Sequence, residues 1–276
     1  MRALQGLVEE LEQDRSLDEP DRLRQRVEAL DRLEAYLLDA PSEEICRRAR
    51  ALSARLEKVN LELFGGIRRE IRRGAGLDIL LRWASQAAPA QGEGYDYLDE
   101  LIAGVLQFEE PGAGMAALDA EMVFYQPTPA RHIFDMIART SLTDRDVLVD
   151  LGSGLGHVAM LASICTSARS MGIDLEPAYI DCARQSAQGL NLNNVTFLEQ
   201  DARTTDLSPG TVFYLYTPFV GAILREVLDS LRQEASRRQI RVCTFGPCTP
   251  TVGEERWLET EGGLATDRIA VFYSRG

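Results

Sequence analysis

The residues best suited to chemistry surround a glycine-rich segment in the second half of the chain. Three glycines alternate with other residues between a strand-like apolar run and a helical pattern, in the order Asp-Leu-Gly-Ser-Gly-Leu-Gly at 150–156. In an open α/β sheet, the loop after the carboxyl end of such a strand is where nucleotides bind. The spacing Gly-x-Gly-x-Gly is shorter than the Gly-x-Gly-x-x-Gly of dinucleotide-binding loops. The loop alone therefore predicts a nucleotide-like ligand without identifying it.

Two carboxylates narrow the choice of ligand. Asp150 ends the strand-like run, where its charge would repel a pyrophosphate but attract a ligand with an ammonium and a sulfonium, as in S-adenosylmethionine. Asp174 ends the next strand-like run and can accept hydrogen bonds from both ribose hydroxyls. The alternative interpretation is that both carboxylates only cap helices. Asp150 and the short glycine spacing also disfavour a nicotinamide dehydrogenase.

Residues 147–217 resemble the class I S-adenosylmethionine-dependent methyltransferases. Four motifs carry the resemblance, in order and at family-like spacing: Val-Asp-Leu-Gly-Ser-Gly-Leu-Gly at 149–156, Gly-Ile-Asp-Leu-Glu-Pro at 172–177, Gln-Asp-Ala at 200–202 and Tyr-Leu-Tyr-Thr-Pro-Phe at 214–219. The resemblance covers residues 125–276. It implies an α/β fold with a seven-stranded Rossmann-like sheet, with S-adenosylmethionine as cofactor and S-adenosylhomocysteine as product.

The resemblance also implies a role for each matching residue. Asp150 and the glycine loop would hold the methionine moiety, Asp174 the ribose, and Leu175 would lie against the adenine. Asp201 and Ala202 would meet the adenine edge, and residues 216–219 would form the lip over the transferring methyl group. The predicted cofactor-binding set is Tyr125, Thr128, Asp150, Gly152, Ser153, Gly154, Gly156, Asp174, Leu175, Asp201, Ala202 and Tyr216.

The fourth motif bears on the methyl acceptor. Amino-group methyltransferases of the resembling class often carry Asn/Asp-Pro-Pro-Tyr/Phe here, whereas this chain has Tyr216 for the amide and Thr217 for the first proline. The change disfavours adenine and glutamine amides as acceptors. A phenol can still make one hydrogen bond, and an aromatic ring can hold a cation by its face. We therefore predict an amine-type acceptor, in a small molecule or a protein side chain, with Tyr216 and Phe219 as the catalytic residues.

Within the class, Asp-Leu-Gly-Ser-Gly-Leu-Gly-His at 150–157 is most similar to the non-SET histone-lysine methyltransferases of the disruptor-of-telomeric-silencing type. These enzymes also have a helical N-terminal region and a phenylalanine in the fourth motif. We take the likeness as one of catalytic-domain shape and not of histone substrate.

A further site element precedes the first strand. Tyr125 begins a segment, 125–129, that leads into a helical pattern over 130–139, with Thr128 as the expected N-cap and Pro129 as the first helical residue. The free N–H groups of such a helix end would suit the cofactor's carboxylate; the alternative is an ordinary helix start. His157 follows the glycine loop, and we predict a supporting role for it over a catalytic one.

The overall charge restricts the partners. Lys and Arg number 30 against 43 Asp and Glu, which gives a net charge of −13. A nucleic-acid binder normally shows a basic footprint, so the balance argues against nucleic acid and favours a cationic or neutral acceptor. Five cysteines without a Cys-x-x-Cys and only two histidines supply a zinc site poorly, and no metal is predicted. We expect a cytoplasmic protein without a membrane segment, since long apolar runs and a signal-peptide pattern are lacking.

The sequence predicts an all-helical region over 1–124 and the methyltransferase domain over 125–276. In the helical region, apolar residues recur at alternating spacings of four and three, at Ile45, Ala49, Leu52, Leu56, Val59 and Leu63. Such a seam packs either against the protein's own core or against a second copy in a homodimer. The alternative function is a cofactor-binding, non-catalytic regulatory or scaffold module that acts through these helices.

Overall fold

The computed structural model describes residues 2–37, 43–87, 89, 91–108 and 125–275. Its centre is a seven-stranded sheet in the order β3-β2-β1-β4-β5-β7-β6. The first five strands are parallel, β7 runs antiparallel to β5, and β6 pairs antiparallel with β7. The strands are β1 (Val147–Leu151), β2 (Arg169–Asp174), β3 (Val195–Glu199), β4 (Val212–Leu215), β5 (Arg241–Thr244), β6 (Leu258–Glu259) and β7 (Ala270–Ser274). The predicted Rossmann-like fold class is confirmed.

Helices cover both faces of the sheet, as parallel strands require. They are α6 (Ala130–Thr140), α7 (His157–Cys165), α8 (Pro177–Gly189), α9 (Gly221–Ala235) and α10 (Cys248–Gly253). Successive strand residues point to opposite faces. On β1, Leu148 joins the core under α6, α7 and α8, whereas Val149 joins the core under α9. Asp150, two residues beyond Leu148, therefore shares the face of α6 and α7.

The predicted helical region precedes the sheet. It comprises α1 (Arg2–Gln13), α2 (Leu23–Leu37), α3 (Glu43–Arg72), α4 (Gly76–Ala84) and α5 (Tyr97–Leu106). The seam of α3 packs against α1 and α2, with Ala49, Leu52 and Leu56 in one small core. The seam thus serves the protein's own core, and a homodimer through these helices stays a prediction. Among the described helices, none is both long enough and apolar enough to cross a membrane.

The helical region and the sheet are joined by a common core. Phe64 and Ile67 of α3 pack in the same cluster as α5, α7 and the face of β1 that carries Leu148. The Arg68 guanidinium donates to the Val105 carbonyl oxygen and thereby fixes α3 against α5. The predicted domain boundary at 124/125 stays a prediction, because residues 109–124 lie outside the described part of the chain.

The crossing of α3 and α5 allows a test of this packing. A Cβ at Gly104 would lie 2.2 Å from the Phe64 ring, so Gly104→Ala forces the two helices apart. We expect it to lower the free energy of unfolding by about 1–3 kcal/mol, as overpacking does. The matched control is Gly65→Ala on α3, where only an arginine side chain lies nearby and alanine should stabilise the helix by up to about 1 kcal/mol. Urea unfolding measures both changes; equal effects would contradict the packing.

Candidate functional site

The glycine loop is a tight turn held against β2. The N–H groups of Gly152 and Ser153 both donate to the Ile173 carbonyl oxygen at 2.9 Å. Gly152, Gly154 and Gly156 have φ of +79°, +50° and +84°, values that favour glycine. A Cβ at Gly154 would lie 1.9 Å from the Tyr125 ring. The glycines therefore provide both the turn and the close approach of neighbouring segments.

Asp150 is a buried carboxylate at the end of β1. Its residue is 3% exposed, and no described residue donates a hydrogen bond to it. Burial raises the pKa of Asp150, and the nearby charge of Asp174 adds to this effect, so that the pKa is about 8. An ionised carboxylate in such a place is stable only beside a cation. The site is thus suited to a positively charged ligand.

Asp174 organises the loop from the neighbouring strand. Its carboxylate accepts the Gly154 N–H at 2.7 Å and the Glu176 N–H at 3.0 Å. Burial nevertheless raises the pKa of Asp174 above its usual range. Each carboxylate oxygen has a second lone pair, so two hydroxyl donors can still be accepted. Next to it, Leu175 is 44% exposed and offers an apolar surface at the strand end.

The side chains at this place fit S-adenosylmethionine. Asp150 needs a cation, Asp174 can accept ribose hydroxyls, and Leu175 can pack against an adenine. In addition, Ser153 Oγ is buried without a hydrogen-bond partner among the described residues. A buried hydroxyl without a partner calls for an explanation, and a bound ligand is one. The structure therefore brings Asp150, Ser153 and Asp174 together at the place that the sequence predicted.

Tyr125 lies across the glycine loop. Its ring packs on Gly154, its hydroxyl is 3.0 Å from His157 Nδ1, and its ring centroid is 5.0 Å from that of Tyr179. Burial lowers the pKa of His157 to about 4, so the imidazole is neutral at pH 7. A neutral His157 that holds Tyr125 agrees with the supporting role predicted for it.

The prediction for Thr128 as a helix cap is wrong. The N-cap of α6 is Pro129, and the Thr128 hydroxyl instead shares a 2.8 Å hydrogen bond with the Tyr214 hydroxyl. The first N–H group of the helix, that of Ala130, donates to the Asp99 carboxylate at 2.7 Å. Pro129 has an extended backbone that moves the helix start one residue along the chain. Asp99 therefore occupies the position that the sequence assigned to the cofactor's carboxylate.

The predicted adenine contacts lie farther along the sheet edge. The Asp201 carboxylate already binds the Arg203 guanidinium, with the closest atoms 2.6 Å apart, and this pairing lowers the pKa of Asp201. Ala202 is 9% exposed and packs in the core under α9. The contacts of both residues with adenine stay predictions.

The structure separates Tyr216 and Phe219 of the fourth motif. Tyr216 packs on the face of α6, with its ring 4.7 Å from that of Phe245. Phe219 is 6% exposed and packs in the core on the opposite face. The cause is a left-handed turn at Thr217, where φ is +43°, locked by the Thr217 hydroxyl between the Phe245 carbonyl oxygen and the Cys248 N–H. The structure thus places Tyr216 on the face of Asp150 but does not place Phe219 there.

The sequence assigns no role at this site to Tyr95 or Asp99, and it places His132 only on the helix after Pro129. Asp99 lies three residues after Asp96, and the two form a capping box at the start of α5. That spacing is a recognisable helix-start signal. The second role of Asp99 is to hold the start of α6. This role depends on a contact between distant parts of the chain, which no local pattern predicts.

Replacing Asp150 by asparagine should stabilise the fold and abolish cofactor binding. The pKa of Asp150 in the folded protein, about 8, lies above that of an unfolded aspartate, about 3.9, so the wild type loses stability as pH rises between them. Asp150→Asn removes this loss, and we expect a gain on the order of 5 kcal/mol at pH 8 but only about 1–2 kcal/mol at pH 5.

Urea unfolding at the two pH values measures this gain, and calorimetric titration with S-adenosylmethionine measures the loss of binding. Equal stabilisation at pH 5 and pH 8 would show that Asp150 is not held with a raised pKa.

Gly154→Ala should weaken cofactor binding at least tenfold. The added methyl group would meet the Tyr125 ring, and the residue has a left-handed φ that alanine rarely adopts. Gly263→Ala is the matched control, because nothing lies within 4 Å of its added Cβ. Calorimetric titration with S-adenosylhomocysteine compares the two variants; unchanged affinity in Gly154→Ala would place the ligand elsewhere.

Comparison with known proteins agrees with this site. Residues 148–241 match the family model described as "Methyltransferase domain". No curated protein matches the sequence.

Three solved structures illustrate the structural similarity. An RNA methyltransferase from Salinibacter ruber in complex with S-adenosyl-L-homocysteine is 24% identical, with a TM-score of 0.44, over 54% of this chain and 92% of its own. A precorrin-6y C5,15-methyltransferase from Geobacter metallireducens is 17% identical, with a TM-score of 0.41, over 58% and 98%. A SAM-dependent methyltransferase from Aquifex aeolicus is 14% identical, with a TM-score of 0.42, over 51% and 88%.

The matched segment contains the glycine loop, Asp150 and Asp174, which are the residues whose geometry fits the cofactor. Residues 148–241 are therefore the methyltransferase domain of a class I S-adenosylmethionine-dependent enzyme.

Proposed function

We propose that this enzyme methylates an amine-type acceptor, in a small molecule or a protein side chain, bound between the helical region and the cofactor site. The observation that carries the proposal is a cavity of about 510 Å³. Its walls come from α2, α5 and the segment before α6, and His157 also lines it. His157 contacts Tyr125, which packs on the glycine loop, and these contacts support a cavity close to the methyl-transfer position.

The charge of the cavity favours a cation. Its acidic lining residues outnumber the single lining arginine, Arg24, and are Glu28, Asp31, Asp96, Asp99 and Glu100. Arg24 is paired with Glu28 at 3.0 Å, and Arg131 approaches Asp96 at 3.6 Å. The remaining carboxylates give the cavity a negative potential, which raises the local concentration of a cationic acceptor.

Aromatic side chains add a second means of holding a cation. Tyr95 and Tyr97 line the cavity, and Tyr216 lies on the same face of the sheet. The faces of such rings attract an ammonium group, and the attraction is stronger where water is excluded. Cation-binding rings beside carboxylates therefore support an amine over a phosphate or carboxylate acceptor.

Methyl transfer demands mainly alignment from the protein. Bound at the glycine loop, the cofactor supplies a methyl group on a sulfonium. Tyr216 and the cavity walls orient the acceptor nitrogen toward it, and such orientation accounts for a large part of a rate enhancement. An ammonium acceptor must also lose a proton before it can attack, which the surrounding carboxylates can accept.

The experiment is a turnover assay with isotopically labelled S-adenosylmethionine and matched acceptors: alkylamines, lysine peptides including histone peptides, the corresponding alcohols and carboxylates, and duplex DNA. Methylation of amines alone supports the proposal. Cofactor binding without turnover of any acceptor would support the non-catalytic module instead. The likeness of residues 150–157 to the non-SET histone-lysine enzymes would gain support only from selective use of histone peptides.

Tyr216→Ala should lower methyl transfer to the amine at least tenfold, or about 1.4 kcal/mol of barrier, because the ring that orients the acceptor is removed. The affinity for S-adenosylhomocysteine should change much less. Phe219→Leu is the control from the same motif, since Phe219 packs on the opposite face. Steady-state kinetics measure both variants; a larger loss in Phe219→Leu than in Tyr216→Ala would contradict this assignment of the acceptor site.

A further inference from the structure

Two residues in the first turn of α6 hold the same backbone oxygen in a distant loop. Arg131 Nη2 donates to the Gly92 carbonyl oxygen at 2.9 Å and lies 3.3 Å from that of Gln91. His132 Nε2 is 2.7 Å from the same Gly92 oxygen. Gly92 has a φ of +75°, so the loop turns sharply where it is held. Residues 91–96 are thus fixed to α6 by two donors.

His132 is built for this contact. Its side chain is fully buried, and burial lowers its pKa, so the ring is neutral. Because a carbonyl oxygen only accepts, Nε2 carries the hydrogen, and Nδ1 is left buried without a partner among the described residues. A buried imidazole nitrogen without a hydrogen bond lowers the free energy of unfolding. This loss of stability indicates a role for the ring beyond filling space.

The held loop carries side chains into the acceptor cavity. Tyr95 lines the cavity and donates a hydrogen bond to the Pro127 carbonyl oxygen at 2.8 Å. Glu93 is exposed, and both Tyr95 and Glu93 lie close enough to Tyr216 to add to the effect of burial, which raises the pKa of Tyr216 to about 12. The loop therefore forms part of the cavity wall and lies within electrostatic reach of Tyr216.

The same histidine also reaches Tyr216 through an aromatic stack. The His132 ring is 4.3 Å from the Phe245 ring, which is 4.7 Å from the Tyr216 ring. His132 thus contacts the loop by a hydrogen bond and supports Tyr216 through Phe245.

We infer that residues 91–96 are the acceptor-specificity loop of this enzyme, and that Arg131 and His132 are positioning residues that hold it at the wall of the acceptor cavity. The inference rests on the proposed function and specifies it further. In this inference the acceptor nitrogen lies against the Tyr95 ring at the cavity wall, with the Glu93 carboxylate of the same loop as its counter-charge. The substrate class is an alkylammonium compound, because the site has room for a cation at this position. An acceptor of equal size without the charge binds poorly.

The test compares His132→Leu with His132→Gln. Leucine removes the donor to the Gly92 oxygen, whereas glutamine can place an amide N–H near the position of Nε2. In His132→Leu we expect backbone amides of residues 92–96 to exchange hydrogen at least tenfold faster. We also expect the KM of the amine to rise at least fivefold, with kcat within about twofold and unchanged affinity for S-adenosylhomocysteine. His132→Gln should restore both exchange and KM.

Two further variants keep the result decisive. Arg131→Met removes the second donor and should have the same effects as His132→Leu even if the latter folds poorly. Glu93→Gln should raise the KM for the amine without changing exchange in the loop, whereas Glu261→Gln, an exposed carboxylate beyond β6, should change neither.

Unchanged exchange in the His132→Leu and Arg131→Met variants would overturn the positioning role. Faster exchange with an unchanged KM would overturn the specificity role of the loop. If the wild-type enzyme turned over no amine, the proposed function would fail and the specificity role with it, while the exchange measurement would still decide whether the two residues hold the loop.

Discussion

The site is organised around one buried carboxyl group that no described cation balances, that of Asp150 at the end of β1. Its neighbours in register on β2 and β4 are Gly172 and Tyr214, and neither supplies a positive charge. A carboxylate in such surroundings is either protonated or paired with a cation that arrives from outside. The glycine turn, Asp174 and Tyr125 together shape the space into which that cation must come. Ligand binding thus completes an electrostatic arrangement that the fold leaves incomplete.

The helical region contributes to the site as well as to stability. Its first three helices have a small core of their own, but the second half of α3 joins α4 and α5 in the core of the sheet. The acceptor cavity lies where α2 and α5 approach the sheet, so one wall belongs to each part. In the proposed function, the cofactor is therefore bound at the sheet edge and the acceptor largely by the helices.

The sequence predicted those parts of the molecule that have a local pattern. Apolar runs gave the strands, and motif spacing placed Asp150, Ser153 and Asp174 at one sheet edge. The contact of His132 with the Gly92 oxygen joins residues 40 positions apart, and the contact of Asp99 with the Ala130 N–H joins residues 31 positions apart. The periodicity of a sequence does not predict such contacts. Phe219 was predicted beside Tyr216, but the single left-handed residue between them, Thr217, sends the two rings to opposite faces.

Because Asp99 caps two helices, it limits which segments of this protein can be exchanged with those of another protein. One carboxylate oxygen accepts the Asp96 N–H that starts α5, and the other accepts the Ala130 N–H that starts α6, each at 2.7 Å. The two helix ends therefore share one cap, although they belong to different parts of the chain. A chimaera that joined these helices to a foreign catalytic domain would leave one oxygen of a half-buried carboxylate and a helix end without their partners. A recombinant that keeps both helix starts would thus have to carry α5 and α6 across as a single unit.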